Sequence, residues 1–538
     1  MSATFTFDFD IPTYKVGVTI PTGLFIGGAF VGGSDHITIH VVNPANGKLI
    51  TKISEATARD VDIAVKAAQN AFDTTWGLNA SGAQRAEPLR MLDNGKIFVS
   101  ESAGWSSVLL QGKPLPGPRL LTSISQSKPS GNVPLLMFTW KIVPTLTTRN
   151  TMVIKPSEFT PLTALRMCAL IREAGFLLGV VNVITGYGNT VGAAISSHMG
   201  IGKIAFTGST IVGRKIMEAA AKSNLKPVTL ELGGKSPTIV FDDADLENAV
   251  AWTAHGIYNP HVTLSFGPLG SGLMIDLHHF ACFTSFTIDF AHSMFMCRIL
   301  YCKEDPCVPE FYHRHRALAE VTTDLKIEVS GRRKKGLNVI TLVAVEKKLS
   351  WSGIYDKFLE KFTEKAKAIR IGDPFGAGID QGPMSSEAQY NMVQRIMGYV
   401  ESGKEQGATV HVGGDQFGTE GYYIKPTVFI NTRPNMKIVQ EDIFGAVVVI
   451  IKFEDEDDVI RQANDTLYRL ASGVFSQTID RAIRTAHCLQ AGTAWVNCYF
   501  NFGANIPFGG YKQSGIGREM GKYGLQQYVS GSTLDVLA

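Results

Sequence analysis

Cysteine is scarce and badly placed for a framework. The chain has seven in 538 residues, and four of them fall between Pro260 and Ser352. So uneven a scatter excludes the disulfide-stapled secreted folds and fits reduced thiols. A single-sign charge excess is also missing. Net charge is +3, so nothing favours a nucleic acid as partner. The start, MSATFTFDFDIPTYK, has neither the basic and apolar regions of a secretory leader nor the Arg-rich amphipathic pattern of an organellar one. No apolar run reaches transmembrane length without a charge or a histidine. These absences set the expectation of a cytoplasmic protein with no membrane partner.

The apolar fraction of 45% and the charged fraction of 18% are those of a soluble globular protein. At about 150 residues per domain, the length implies roughly three folding units. The most informative stretch is Val228 to Pro237, VTLELGGKSP. A β-rich run carries Glu231 into the Gly233-Gly234 turn, where backbone can approach a ligand closely. Burial would raise the pKa of such a carboxyl and suit it to general-base work near neutral pH. Spacing alone leaves open a carboxylate that merely caps the next turn.

Short β-like runs, Val16 to Ile20 and Ile37 to Val42, open the chain. VVNPANGKLI reads as strand, turn, strand, with Asn46-Gly47 as the hairpin signal. Thr57 to Asp60 opens an amphipathic helix over Val61 to Phe72. From Trp76 to Pro129 no element is placed. From Leu136 to Leu230, strands alternate with helices. The strands are Met152 to Ile154, Val180 to Ile184, Lys203 to Phe206 and Val228 to Leu230. The helices are Leu162 to Ala174, Thr190 to His198 and Ile211 to Ala221. That rhythm predicts an α/β fold with a parallel sheet covered on both faces, and ligands beyond the carboxyl ends of its strands.

Two junctions in this region are candidates for anion or ligand contact. IKPSE leaves a strand end with Lys155 and Glu158. FTGSTIVG joins a strand to a helix through Gly208, with Ser209 or Thr210 as cap and free N–H groups at the helix start. It is not the G-x-G-x-x-G fingerprint, and an ordinary strand-to-helix turn stays an open reading.

After Asn259 the character changes. Pro260 to Ser352 holds six of the twelve histidines, a Phe-rich block and the basic cluster Arg332 to Lys335, with no clean period. Cys302, Cys307, His313 and His315 do not match a structural zinc spacing, so no metal is expected. An amphipathic helix resumes over Ile354 to Ala368.

KPSE, FTGSTIVG, LELGGKSP, DIFG and PFGGYKQSGIGRE, in this order and at domain-scale spacing, resemble the NAD(P)-dependent aldehyde dehydrogenase superfamily, in particular its cytosolic and mitochondrial aldehyde and retinal dehydrogenase class. The resemblance covers roughly 1–92, 131–259 and 353–530. It implies an oxidoreductase with a Rossmann-like nucleotide-binding domain over 1–121 and 131–233. It further implies a catalytic domain over 234–515 and bridging β segments at 122–130 and 516–538. The implied substrate is a small-molecule aldehyde, the implied cofactor is NAD with NADP as the alternative, and the implied assembly is a homotetramer or dimer.

Residue roles follow from the same resemblance. Glu231 matches the base that activates water against a thioester, and Asn132 the donor to the oxyanion. Lys155 and Glu158 match the pair on the adenosine ribose, where a carboxylate favours NAD over a 2′-phosphate. Gly188, Gly208 and Ser209 match the adenine and pyrophosphate contacts, and Gly233 the contact to the nicotinamide. Asp442 and Phe444 match the contacts to the nicotinamide ribose. The family's nucleophilic Cys follows a Gly-Gln pair just beyond the helix ending near Asn259; here Pro260 to Ser265, PHVTLS, stands in its place. The expectation is a chain impaired in turnover, with 260–352 as an atypical insert. A catalytically inactive NAD-binding or subunit-partner protein, or a mis-spliced product, is the alternative.

Overall fold

The computed structural model describes residues 3–81, 134–258, 340–346 and 354–529, apart from positions 12–13, 78–79, 374–375, 377, 385–386, 444 and 504. Asn132, Phe444 and the candidate zinc cluster lie outside the described residues.

The chain opens with an antiparallel hairpin, β1 (Thr4–Ile11) and β2 (Tyr14–Pro21). Strands β3 (Leu24–Ile26) and β4 (Ala29–Val31) follow. Next come β5 (Thr38–Val42) and β6 (Leu49–Ser54), joined through the expected Asn46-Gly47 turn and paired antiparallel. Helix α1 (Ala58–Thr74) starts where the sequence puts it. Asp60, in its first turn, accepts from the Thr57 N–H at 2.7 Å and from the Ser34 hydroxyl at 2.7 Å. Burial pushes the Asp60 carboxyl up, but these hydrogen bonds outweigh it and hold the group below its usual range.

Helix α2 (Pro134–Thr147), β7 (Met152–Ile154), α3 (Leu162–Glu173), β8 (Val181–Val183), β9 (Ile204–Thr207), α4 (Thr210–Lys222) and β10 (Val228–Glu231) reproduce the alternation of strand and helix. The expected helix over Thr190 to His198 is instead a π turn, Gly188–Gly192, running into a short α-helix, Ala193–Ser197. The strands pair in parallel as expected, β7 with β8 and β9 with β10. They do so in two sheets: β4-β3-β8-β7, and a three-stranded one that is completed by a late strand. Among the described residues β7 and β9 each form one edge of their sheet, with β4 and that late strand at the opposite edges. The side chains of β7 and β9 are largely half-buried, whereas those of β8 are buried throughout.

A seven-stranded sheet forms the second centre. Its members are β11 (Lys235–Val240), β12 (Ile340–Glu346), β13 (Thr409–Val412), β14 (Thr427–Ile430), β15 (Val447–Phe453), β16 (Ala471–Phe475) and β17 (Thr493–Val496). The order is β13-β14-β15-β12-β11-β16-β17, parallel except for β13. Helices α5 (Leu246–Tyr258), α6 (Ile354–Lys367) and α7 (Glu387–Glu405) belong to this half, as do α8 (Glu456–Asn464) and α9 (Ile479–Cys488). Strands β11 and β16 are buried at every position, which is what a doubly covered parallel sheet requires.

One expectation is corrected here. The irregular stretch was expected to run to Ser352, yet Ile340–Glu346 is a central strand between β11 and β15. ITLVAVE is apolar apart from Thr341 and the terminal Glu346, with no clean alternation. Strands at the centre of a parallel sheet need show no period of two, so alternation could not reveal it. The last strand, β18 (Gly515–Ile516), runs antiparallel to β10 and completes the β18-β10-β9 sheet.

Candidate active site

Glu231 is the last residue of β10. Its backbone is held between Thr207 of β9 and Gly515 of β18. The side chain is 4% exposed, and among the described residues neither carboxyl oxygen has a hydrogen bond of ordinary geometry, although the Gly510 N–H lies close by. Burial pushes its pKa up to about 8, against the opposing pull of the Lys141 ammonium, the Arg518 guanidinium and the Gly510 N–H. A carboxyl so placed is mostly protonated at neutral pH and ionises within reach of it. That is the property a general base needs.

Three ionic neighbours were not singled out in the sequence. Lys141 is the sole charged residue of α2, PLLMFTWKIVPTLT. That isolation was a usable signal, since an ammonium is seldom buried without a partner. Lys141 pairs with buried Glu519 and donates to Thr207 Oγ1 at 3.0 Å. Burial pulls its pKa down to about 7; Glu231 opposes this and Lys203 adds to it. Arg518 donates to the Gly510 and Gly517 carbonyls at 2.9 and 2.7 Å.

A cavity of about 1880 Å³ is lined by Glu231 and Lys141 together with Lys155, Glu158, Gly188, Gly208, Ser209, Gly233 and Asp442. Eight of the ten site residues expected from the sequence thus share one wall system; the other two are Asn132 and Phe444. The volume exceeds the usual range of about 300–1,000 Å³ for a single small ligand, leaving space for a dinucleotide with a substrate beside it.

The donor set along this wall suits such a guest. Lys155 Nζ is fixed by Glu158 at 3.1 Å and by the Gly186 and Pro156 carbonyls at 2.9 and 2.8 Å. Ser209 caps α4, its hydroxyl accepting from the Val212 N–H at 3.4 Å. The first turn of α4 has N–H groups with no acceptor inside the helix, and its dipole favours an anion. Gly233 is packed against Asp442: a Cβ there would lie 2.3 Å from Asp442 Oδ2. Asp442 is raised by burial, with Lys235, Arg395 and the Gly234 N–H pulling the other way.

No described cysteine reaches this cavity. Cys168 lies on the buried face of α3, and burial pushes its thiol up. Cys498 is pushed up to about 11 by burial, and Cys488 ends α9. None of the three lines the cavity wall. Among the described residues no helix is long and apolar enough to cross a membrane.

A paired-sheet α/β protein with a buried carboxyl on a strand end and a dinucleotide-sized cavity fits the architecture of a nucleotide-dependent oxidoreductase. Comparison with known proteins narrows this. The model of the aldehyde dehydrogenase family matches residues 30–95, 130–260 and 343–534, leaving out 96–129 and 261–342. An aldehyde dehydrogenase of Agaricus bisporus is 49% identical, with 98% of each chain covered. Aldehyde dehydrogenase 1A1 of Oryctolagus cuniculus is 37% identical, again with 98% of each covered. The solved NAD+ complex of an aldehyde dehydrogenase from Bacillus cereus superposes with a TM-score of 0.74 at 32% identity, covering 94% of both chains. The chain belongs to the aldehyde dehydrogenase family.

Proposed function

We propose that the cavity binds NAD and a small-molecule aldehyde, and that the fold serves oxidation of the aldehyde to a carboxylic acid. When bound, the cofactor supplies the hydride acceptor. Lys155 and Glu158 hold one ribose, and Gly188, Gly208 and Ser209 border the adenine and pyrophosphate. Gly233 and Asp442 lie at the nicotinamide end. Asn132 and Phe444 keep the roles their motifs imply, as oxyanion donor and ribose contact. Glu231, once ionised, would take a proton from the attacking water, which in a thiol-bearing site adds to the acyl thioester and expels the cysteine thiolate. The ion pair Lys141–Glu519 beside it offers the proton a way onward. The observation that carries this reading is the buried, unpartnered Glu231 carboxyl at the wall shared with the cofactor residues.

Turnover by this chain is impaired. The family model passes over 261–342, where the nucleophile segment would lie, and no described cysteine borders the cavity. The same two facts favour a second reading, a nucleotide-binding partner subunit without activity. A cytoplasmic homo-oligomer of two or four chains, divided into nucleotide, catalytic and bridging domains, fits both readings. The test pairs calorimetric titration with NAD against NADH formation from acetaldehyde and a longer aldehyde. Binding with little or no turnover is expected. Robust turnover would overturn the impairment, and absence of binding would overturn the cofactor site.

A further inference from the structure

The segment from Pro507 to Glu519 does more than close the sheet. It is pinned at both ends by the pair Phe508–Glu519, whose N–H groups donate reciprocally at 2.8 and 2.7 Å. Between these ends it turns back along β10, so that Gly515 pairs with Glu231 and the Ser514 carbonyl accepts from the Leu232 N–H at 3.0 Å. Ser514 is fully buried. Its hydroxyl donates to the Gly233 carbonyl at 2.6 Å and accepts from the Arg469 N–H at 2.9 Å. Gly509 faces the carboxyl itself. A Cβ built there would lie 2.4 Å from Glu231 Oε1, and its φ of +152° is one that side-chain-bearing residues rarely adopt.

We propose that this segment is the positioning element of the base, with Gly509 as the seat that admits the Glu231 carboxyl and Ser514 as the pin that fixes the turn behind it. The proposal rests on the reading of Glu231 as the base. It concerns where the carboxyl sits, which can be measured whether or not the chain turns over. Without a side chain at Gly509, the carboxyl can withdraw among Gly509, Gly510 and the α2 face. There it is stripped of water and neutral. The charged groups around it are Lys141 from α2, with Lys203 and Glu519 beside that ammonium, and Arg518 from the segment itself. A methyl group at position 509 would expel the carboxyl toward the cavity, where water reaches it.

The experiment is a double-mutant cycle on the full chain, with G509A, E231A and the pair compared by melting temperature and by its change with pH. Strain at the backbone of Gly509 burdens G509A in either background, whereas the collision with the carboxyl exists only when Glu231 is present. G509A is expected to lower Tm by about 5 °C in the wild-type background and by less than half of that beside E231A. It should also flatten the fall of Tm between about pH 5 and about pH 8 that a withdrawn carboxyl imposes. Equal cost in both backgrounds with an unaltered pH slope would overturn the seat. Should G509A fail to fold, S514A serves. It removes one hydroxyl and no backbone freedom, and it is expected to change the pH slope only while Glu231 is present. A slope unmoved by S514A would overturn the proposal as well.

Discussion

Two buried or half-buried carboxylates show how differently the halves of this molecule use charge. Asp243, in the turn just after β11, accepts from the Ser476 hydroxyl at 2.8 Å, the Thr478 N–H at 2.9 Å and the Thr478 hydroxyl at 2.8 Å. It also pairs with Arg481. Burial alone would push its pKa up, but these donors hold it down at about 2. Glu231, at the end of β10, has no hydrogen bond of ordinary geometry among the described residues, although the Gly510 N–H lies close by, and burial pushes it up to about 8. Both acids lie at or just past the carboxyl end of a strand. One is spent on joining β11 to β16 and α9, and the other is left unsatisfied against a cavity. An unsatisfied buried group costs stability, so its retention at a cavity wall signals chemistry rather than folding.

The largest expected effect separates the two by pH. Because the folded pKa of Glu231 lies above its ordinary value of 4.5, the folded state holds the proton more tightly than the unfolded one. The stability this confers is complete below about pH 4.5 and is lost as pH rises to about 8. The span amounts to several kcal/mol. E231Q should abolish this decline, read from urea unfolding at a series of pH values. A decline of equal size in E231Q would break the comparison.

Asp243 has the opposite sign. Its folded pKa lies below the ordinary 3.8, so its stabilisation is complete above that value and disappears as pH falls toward about 2. D243A should cost about 2 kcal/mol at neutral pH and remove this acid limb of the unfolding curve. The wild-type limb persisting in D243A would show that other groups set it.

The cofactor wall gives a smaller effect. Lys155 Nζ makes three hydrogen bonds inside the chain, to Glu158 and to two carbonyls, and so orders the carboxylate that would meet a ribose. K155M should weaken NAD binding about tenfold, or about 1.4 kcal/mol, by calorimetry. E158Q should narrow the preference for NAD over NADP. The smallest effect is expected at the exposed pair Lys361–Glu247 between α6 and α5. K361A should leave Tm unchanged, because solvent screens such pairs.

Half of this contrast was legible in the chain. The β-rich run meeting Gly233-Gly234 marked Glu231, and turn chemistry at strand ends marked Lys155, Glu158, Gly208 and Ser209, but a capping or ordinary-turn role stayed open until the ordered family motifs were weighed. These are local signals, carried by a few adjacent residues. Asp243 was not marked, because its partners Ser476, Thr478 and Arg481 lie more than two hundred residues away. Lys141, Arg518 and Glu519 were missed because their meaning is not local. Nothing near position 141 or 519 shows that an ammonium on α2 will face a carboxyl almost four hundred residues later. Strand β12 was missed for another reason: ITLVAVE, with no clean alternation of apolar and polar residues, looks the same as irregular apolar sequence until its neighbours are known. The split of strands β7 to β10 into two sheets was likewise invisible, since strand rhythm predicts parallel pairing and not which pairs share a sheet.

The central claim is that Glu231 sits in its wall as a neutral acid that ionises close to neutral pH. Isotope-edited infrared titration of the glutamate carboxyls, with E231Q identifying the signal, tests it directly. The account predicts a single buried carboxyl that loses its proton with a midpoint near 8, absent from E231Q. A Glu231 carboxyl already ionised above pH 5, titrating near the ordinary 4.5, would contradict it.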